Sequence, residues 1–143
     1  MRPTIKDLAR EAGVSVSTVN RVINSAESVR RSTRELVMET AERIGFYGLG
    51  SIESSVKRAR ETHRLAILLQ QGNRVFYRDL GNALRRAAES FKGANIALEL
   101  EYLDDLSPDH ISNRVRALAE NTESLGLVAA EHPMISDTIT SVL

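Results

Sequence analysis

The most constraining feature of this 143-residue chain is a stretch near its start that predicts two short helices joined at a glycine. Residues 4–24 read TIKDLAREAGVSVSTVNRVIN, with apolar residues recurring at helical spacing on both sides of Gly13. Glycine readily adopts the left-handed backbone that ends a helix. Thr4 and Ser15 are suitable N-caps, because a hydroxyl can accept an unpaired backbone N–H. The stretch therefore predicts a pair of amphipathic helices.

Three positions in this stretch meet the steric needs of a helix-turn-helix. Ala9 is small where the helices approach, Gly13 makes the turn, and Val19 is branched at the helix crossing. The N-terminal part of the second helix then enters the major groove of DNA, where arginine suits a guanine edge and valine a thymine methyl group. An ordinary solvated helical hairpin is the alternative. We predict that four outward residues read bases: Val16, Ser17, Asn20 and Arg21.

A third amphipathic helix is predicted over residues 31–44, ended by Gly45. Its predicted inward residues are Leu36, Val37, Ala41 and Ile44. With VRRSTRELVMETAERIGF following the first two helices, residues 4–46 resemble the DNA-binding head of the lactose-repressor (LacI) family almost without a gap. The resemblance implies phosphate contacts by Thr4, Ser15, Thr18, Asn24 and Thr33, and we add Arg30 as a candidate, with simple surface solvation as its alternative. Arg30 replaces the family's usual small cap, so we expect a weaker cap there and an added charge directed at phosphate.

Charge is unevenly distributed along a chain whose formal net charge is zero. Residues 1–64 carry 12 lysines and arginines against 8 acidic residues, whereas residues 65–143 carry 7 against 11. This asymmetry is expected when only the first part contacts phosphate. The chain has no cysteine, which excludes disulfides and thiolate zinc sites. No run approaches the ~20 apolar residues of a membrane-spanning helix, so we expect no membrane partner and a cytoplasmic location.

The segment that follows the head differs from the family pattern. In the family this stretch is a hinge helix that folds on DNA and inserts an apolar side chain into the minor groove. Here Ile52 or Val56 would be that side chain. The usual Pro-Asn is replaced by Gly48-Leu49, the alanine-rich core is absent, and the segment is about two residues longer than its family counterpart. A flexible basic linker without a minor-groove role is therefore the alternative.

From Leu65 onward, short apolar runs alternate with amphipathic segments. The order β-α-β-α-β-α predicts a parallel sheet with right-handed crossovers. The expected fold class is α + α/β, a three-helix head followed by a partial three-stranded parallel domain. The second part resembles the start of the family's periplasmic-binding-protein-like sensor. We expect three parts: a helix-turn-helix head at 1–46, a hinge or linker at 47–64, and the truncated N-terminal lobe of an effector-binding sensor at 65–143.

Ligands of such sheets lie beyond the carboxyl ends of the strands. Asn73, Phe76 and Tyr77 resemble the family stretch that commonly touches an effector, although Arg74 replaces its usual proline. The alternative is that Phe76 only packs at a helix start. The aspartates at 104–105 are interpreted as a solvated loop. The three histidines have neither metal-ligand spacing nor a paired acid at a useful interval, so we predict surface positions for His63, His110 and His132, and no metal or cofactor.

These features together predict a sequence-specific DNA-binding transcription regulator, a repressor rather than an enzyme. It would bind a near-palindromic operator in double-stranded DNA as a homodimer, and the resemblance implies control of the intact protein by a sugar-like small molecule. The alternative is an α/β small-molecule-binding or enzyme domain with an incidental helical N-terminus. A head that occupies operators without responding to any ligand is a third interpretation.

Overall fold

The computed structural model describes residues 2–143 and divides into two compact units, Met1–Glu61 and Thr62–Leu143, called here the helical unit and the sheet unit. The helical unit comprises α1 (Ile5–Ala12), α2 (Val16–Asn24), a 3₁₀ turn (Ala26–Ser28), α3 (Arg31–Ile44) and α4 (Leu49–Arg58). The sheet unit comprises β1 (Thr62–Gln70), α5 (Val75–Ser90), β2 (Asn95–Leu103), α6 (Pro108–Ala119), β3 (Ser124–Leu127) and α7 (Pro133–Val142).

The first two helices form where the sequence places them. The Thr4 hydroxyl accepts the Asp7 backbone N–H, and the Asp7 carboxylate accepts the Thr4 backbone N–H, which makes a complete capping box on α1. Gly13 has a φ of 66° and ends α1 in the left-handed conformation. Ser15 caps α2 by accepting the Thr18 backbone N–H. The predicted caps and turn are confirmed.

The third helix has the predicted bounds and buries the predicted face except at Leu36, with Ile44 half-buried against the core. Val37 and Ala41 are fully buried, whereas Leu36, predicted to face inward, is 46% exposed. The buried row instead begins at Arg34, which is 9% exposed and donates from Nη1 to the carbonyl oxygen of Ala26 at 3.4 Å. Residues 34, 37 and 41 share one helix face, and successive residues rotate by about 100°, so Leu36 points away from it. A pattern that counts only apolar residues misses the buried arginine.

The sheet unit contains a three-stranded parallel sheet in the order β2-β1-β3, which confirms the expected fold class. Leu65 of β1 lies opposite Leu98 of β2 and Ser124 of β3. One face of the sheet is covered by α6 and α7. Its core consists of Ala66, Leu68, Leu103, Ile111, Val115, Leu118 and Ile135.

The opposite face is covered only in part, by α5. Gly81 is the buried residue of this helix, while Phe76 is 69% exposed and Phe91, just after the helix, is 54% exposed. A cavity of about 260 Å³ lies between the apolar side of α5 and strands β1 and β2. The helix approaches the sheet closely at Gly81, where the Tyr102 ring and the Leu100 side chain occupy the space that a Cβ would need.

We expect Gly81→Ala to destabilise the sheet unit by about 1–3 kcal/mol, because the added methyl group would clash with the phenol oxygen of Tyr102. Urea unfolding followed by circular dichroism measures the change. Adding Tyr102→Phe removes that oxygen and should recover part of the loss. Gly50→Ala is the control, since a Cβ at Gly50 meets nothing within 4 Å and alanine favours the helix. Equal stability changes in the two alanine variants would contradict tight packing at Gly81.

Candidate nucleic-acid interface

The second helix presents one buried side and one accessible side. Val19 and Val22 are fully buried against the other helices of the helical unit. The four residues predicted to read bases all lie on the accessible side: Val16, Ser17, Asn20 and Arg21. Val16 is 40% exposed, so its methyl groups are accessible to a contacting molecule. The first turn of α2 contains no acidic residue. The accessible side can therefore approach an anionic duplex without like-charge repulsion from the helix itself.

A cluster of hydroxyl groups surrounds the N-terminus of α2. The Ser15 Oγ lies 3.1 Å from the Thr18 backbone N, 2.8 Å from the Ser17 Oγ and 2.9 Å from the Thr18 Oγ1. The Arg21 Nη2 lies 3.5 Å from the Thr18 Oγ1, at the limit of a hydrogen bond, so the guanidinium remains available to another acceptor. Hydroxyls and the positive end of a helix dipole together favour a phosphate oxygen at this position.

The remaining predicted phosphate contacts lie at the ends of α1, α2 and α3. Thr4 is exposed at the start of α1, and the Asn24 side chain donates to the Asn20 carbonyl oxygen at 2.9 Å, near the end of α2. Arg30 is exposed at the start of α3 and makes no side-chain capping bond, which agrees with the weaker cap expected there. Thr33, one turn later, is half-buried. Their roles as phosphate contacts stay predictions.

The Asp7 carboxylate at the start of α1 is satisfied within the helix. Its Oδ2 accepts the Thr4 backbone N–H at 2.9 Å and the Thr4 hydroxyl at 2.7 Å, and its Oδ1 accepts from Arg10 at 3.0 Å. These bonds hold the pKa of Asp7 below its ordinary value of 3.8, first through the Thr4 backbone N–H and hydroxyl and then through the Arg10 charge. The one acidic side chain in the first turn of α1 is thus engaged by its own helix.

The capping box gives the helical unit a defined pH dependence. A carboxyl whose pKa is lowered by folding contributes stability above its unfolded pKa and loses that contribution as the pH falls through the folded value. We therefore expect Asp7→Asn to lower the unfolding temperature near neutral pH, with a difference from wild type that shrinks below pH 3.8. Glu42→Gln, an exposed carboxyl of α3, controls for loss of charge alone. A difference that stays constant as the pH falls would contradict this origin.

The structure places the two predicted minor-groove side chains inside the helical unit. Ile52 and Val56 are both fully buried, in the same cluster as Val19 and Val22 of α2. A minor-groove wedge must be exposed, so neither side chain can reach DNA while α4 is docked. The physical reason is that the segment is a packed helix, not a flexible linker. The wedge prediction thus requires α4 to leave the helical unit.

An ion pair that sequence reasoning missed joins the end of α4 to α3. The Arg60 guanidinium donates from Nε and Nη2 to the two Glu35 carboxylate oxygens, at 3.1 and 3.0 Å. The Arg60 side chain is 9% exposed and that of Glu35 is 22% exposed. The partners are 25 residues apart, so no local spacing rule could have found them. The buried Arg34 was missed because its partner is the backbone carbonyl of Ala26, which no pattern of side chains indicates.

In the sheet unit, the predicted effector residues are brought together only in part. The Tyr77 hydroxyl donates to the Gln70 Oε1 at 3.3 Å, and the Gln70 Nε2 donates to the Val128 carbonyl oxygen at 3.3 Å. This chain of bonds ties α5 to the carboxyl ends of β1 and β3. Asn73 and Phe76 are exposed, and the Phe76 ring meets Tyr77 edge-on at 5.2 Å. Phe76 lies in the first turn of α5 and contacts Tyr77, which agrees with the alternative that it packs at a helix start, and its ring is 69% exposed.

The histidines have partners that sequence spacing did not show. The His63 Nδ1 lies 2.7 Å from the Glu123 carboxylate, and the His110 Nδ1 lies 4.0 Å from that of Asp105. Sequence spacing could not show the first of these pairs, because Glu123 is 60 residues from His63. The side chains of His63 and His110 are 43% and 41% exposed, as expected for surface positions. In residues 2–143 no group of three or more acidic, histidine or cysteine side chains is placed to hold a metal ion. No helix in the same range has the length and apolarity needed to cross a membrane.

Most of the helical unit matches a known protein family. Residues 4–48 match the family of bacterial regulatory proteins described as the lacI family. Through this segment the chain is similar to the lacI family. The match covers α1, α2, α3 and the turn before α4, and ends where α4 begins.

Several named lacI-type relatives share longer stretches with the chain. Catabolite control protein A of Priestia megaterium is 35% identical over 92 residues, which are 64% of this chain and 27% of the relative. The sucrose operon repressor of Escherichia coli is 32% identical over 103 residues, 71% of this chain and 31% of the relative. The transcriptional repressor PurR of Vibrio cholerae is 36% identical over 77 residues, which are 54% of this chain and 22% of the relative. The chain thus spans less than a third of the length of these relatives.

A solved structure also aligns with the chain. It is the crystal structure of the lac repressor dimer bound to operator and the anti-inducer ONPF. The alignment covers 99% of this chain and 42% of the repressor chain. The sequence identity is 18% and the TM-score is 0.47.

Proposed function

We propose that this chain is the DNA-binding part of a lacI-type transcription regulator that reads a duplex with the outward side of α2. The observation that carries the proposal is the exposure of Val16, Ser17, Asn20 and Arg21 on one side of a helix whose other side is buried. The relatives are named as a control protein and as repressors, which supports a regulatory role without catalysis.

In this proposal α2 lies in the major groove with its N-terminal turn against the base edges. The Arg21 guanidinium donates two bonds to the O6 and N7 atoms of a guanine, and the Val16 methyl groups contact a thymine methyl. Ser17 and Asn20 lie beside them on the same exposed side and complete the reading surface. A bidentate arginine contact discriminates against the wrong base by about 1–3 kcal/mol.

Phosphate contacts would hold the helical unit in register on the duplex. Residues 1–61 carry 11 lysines and arginines against 8 acidic residues, so this unit is attracted to the backbone. The groups proposed to meet phosphate are at helix ends and expose hydroxyl, amide or guanidinium donors: Thr4, Ser15, Thr18, Asn24, Arg30 and Thr33.

We also propose that the intact protein acts as a homodimer repressor on a near-palindromic operator, because a two-fold protein is matched by two related half-sites. The uncovered side of α5 supports this. It exposes the apolar side chains of Val75 and Phe76, and Phe91 follows at its end. The neighbouring β2 is an edge strand of the sheet. An exposed apolar helix beside an open strand edge is a surface that a second copy would cover.

The sheet unit is proposed to supply one wall of an effector site. The strand order β2-β1-β3 places β2 on one side of β1 and β3 on the other. Ligands of parallel sheets bind beyond the carboxyl ends of the strands where the connections change sides in this way. Gln70 and Tyr77 lie at this edge, with Asn73 and Phe76 exposed nearby. Aromatic rings beside amide groups suit a sugar-like metabolite. Effector control belongs to the intact protein, of which this unit would be one lobe.

Binding to DNA can be tested through its salt dependence. We expect the full chain to bind a short mixed-sequence duplex with an affinity that falls steeply between about 50 and 200 mM salt. Arg30→Ala should reduce the log–log slope by about 0.9, the value for one phosphate contact. Arg86→Ala, an exposed arginine of α5, is the control and should leave the slope unchanged. Fluorescence anisotropy of a labelled duplex gives both values. Binding that does not depend on salt, or equal slopes in all three proteins, would contradict the proposal.

A further inference from the structure

The turn between α3 and α4 is short and tightly packed. Gly45 ends α3 in the left-handed conformation, with a φ of 66°. A Cβ on Gly48 would lie 2.7 Å from the Phe46 ring, which is itself buried. The chain therefore folds back closely over the phenylalanine and enters α4 at Leu49. This geometry fixes where α4 begins relative to the end of α3.

The fourth helix packs into the core of the helical unit along its length. Ile52 and Val56 are fully buried, and Ser55 between them is 3% exposed. Leu49 and Ala59, near the two ends of the helix, are partly buried against the same cluster. The spacing of three and four residues makes this one continuous face. The cluster that receives it contains Val19 and Val22, whose helix carries the proposed reading surface on its other side.

An ion pair just after the end of α4 adds to this packing. Arg60 lies just beyond the helix and donates two bonds to Glu35 of α3, with both side chains largely removed from solvent. A bidentate arginine–carboxylate pair is directional and stronger than a neutral hydrogen bond. Undocking α4 would expose two fully buried aliphatic side chains and break both bonds between Arg60 and Glu35. Apolar burial and the ion pair thus oppose undocking together.

We propose that α4 is a permanent fourth helix of the helical unit, folded without DNA and fastened to α3 by the Glu35–Arg60 pair. Glu35 and Arg60 are positioning residues, because they hold α4 against the buried side of α2. The reading surface is then supported before any duplex is bound, and no folding of α4 accompanies binding. This inference goes beyond the proposed function, since it concerns the free protein, and it differs from the hinge behaviour that the family resemblance implies.

Hydrogen exchange of the full chain in the absence of DNA tests the proposal directly. The backbone amides of Ser55 and Val56 are expected to exchange as slowly as those of Val37 and Ala41 in the middle of α3. Exchange at the rate of an unfolded peptide would overturn the proposal. Because no duplex is present, this result is independent of whether the chain binds DNA.

The role of the ion pair is tested with three variants and a control in the same experiment. Arg60→Met and Glu35→Gln are each expected to speed exchange across α4 about tenfold, with little change in α1. The charge-reversed double variant, Glu35→Arg with Arg60→Glu, should restore part of the protection. Arg58→Met, an exposed arginine at the end of α4, is the control. Unchanged α4 exchange in both single variants would overturn the assignment of Glu35 and Arg60 as positioning residues.

Discussion

Arg21→Ala is expected to weaken binding to the preferred duplex by about 1–3 kcal/mol and to relax base preference at one position of the site. The Arg21 guanidinium is exposed on α2 and has only a 3.5 Å contact with Thr18, so it is free to form two bonds with a guanine. Removing it leaves the guanine acceptors unpaired in the interface. Titration of the preferred duplex, and of duplexes changed at single base pairs, measures both effects.

Two control variants separate base reading from charge. Arg86→Ala removes an exposed arginine from the sheet unit and should leave affinity and preference unchanged. Arg30→Ala should lower the affinity for every duplex by a similar factor, because a phosphate contact carries no sequence information. If Arg21→Ala also lowered all affinities equally and preserved every base preference, Arg21 would be a phosphate contact and its assignment as a base-reading residue would be wrong.

Ile52→Ala is expected to reduce the unfolding free energy of the helical unit by about 2–5 kcal/mol, even though DNA is absent. The Ile52 side chain is fully buried among the other helices of this unit, so truncation removes buried surface and leaves a cavity. Urea unfolding of the free chain measures the loss. Ser51→Ala, at an exposed neighbouring position on α4, is the matched control and should change stability little.

The same variant distinguishes a docked helix from a DNA-induced hinge. If α4 folded only on DNA, Ile52→Ala would leave the free protein as stable as wild type and would weaken only duplex binding. A docked α4 instead predicts that the variant lowers the stability of the free protein. Its affinity for the duplex then falls only to the extent that unfolded protein is populated. Wild-type stability of the free variant would therefore contradict the packing described here.

The helices and strands were largely predictable because their signals are local. Periodic apolar residues, Thr4, Ser15 and the glycines at 13 and 45 gave the helix positions, and α3 has the predicted bounds. The alternation of apolar runs and amphipathic segments gave the parallel sheet. β1 begins three residues before the apolar run at Leu65, since sheet pairing with β2 extends it through polar residues. Apolar periodicity alone cannot show that extension.

The features that were missed depend on partners distant in sequence. Glu35 and Arg60 pair across two helices, and Glu123 pairs with His63 across the sheet unit. The docking of α4 was obscured because Ile52 and Val56 fit two interpretations, a minor-groove wedge or a core face, and only the surrounding helices decide between them. Leu36 was misplaced because the buried row of α3 begins with an arginine, which a pattern of apolar residues does not count.

Selection of bound sites from a randomised duplex pool tests the central claim most directly, namely that the outward side of α2 reads base sequence. The full chain is expected to enrich a defined half-site, and the double variant Val16→Ala/Ser17→Ala should change the enriched bases at a few adjacent positions while leaving the rest of the half-site intact. A flat base distribution for the wild-type chain, or an identical enriched site for the variant, would contradict it.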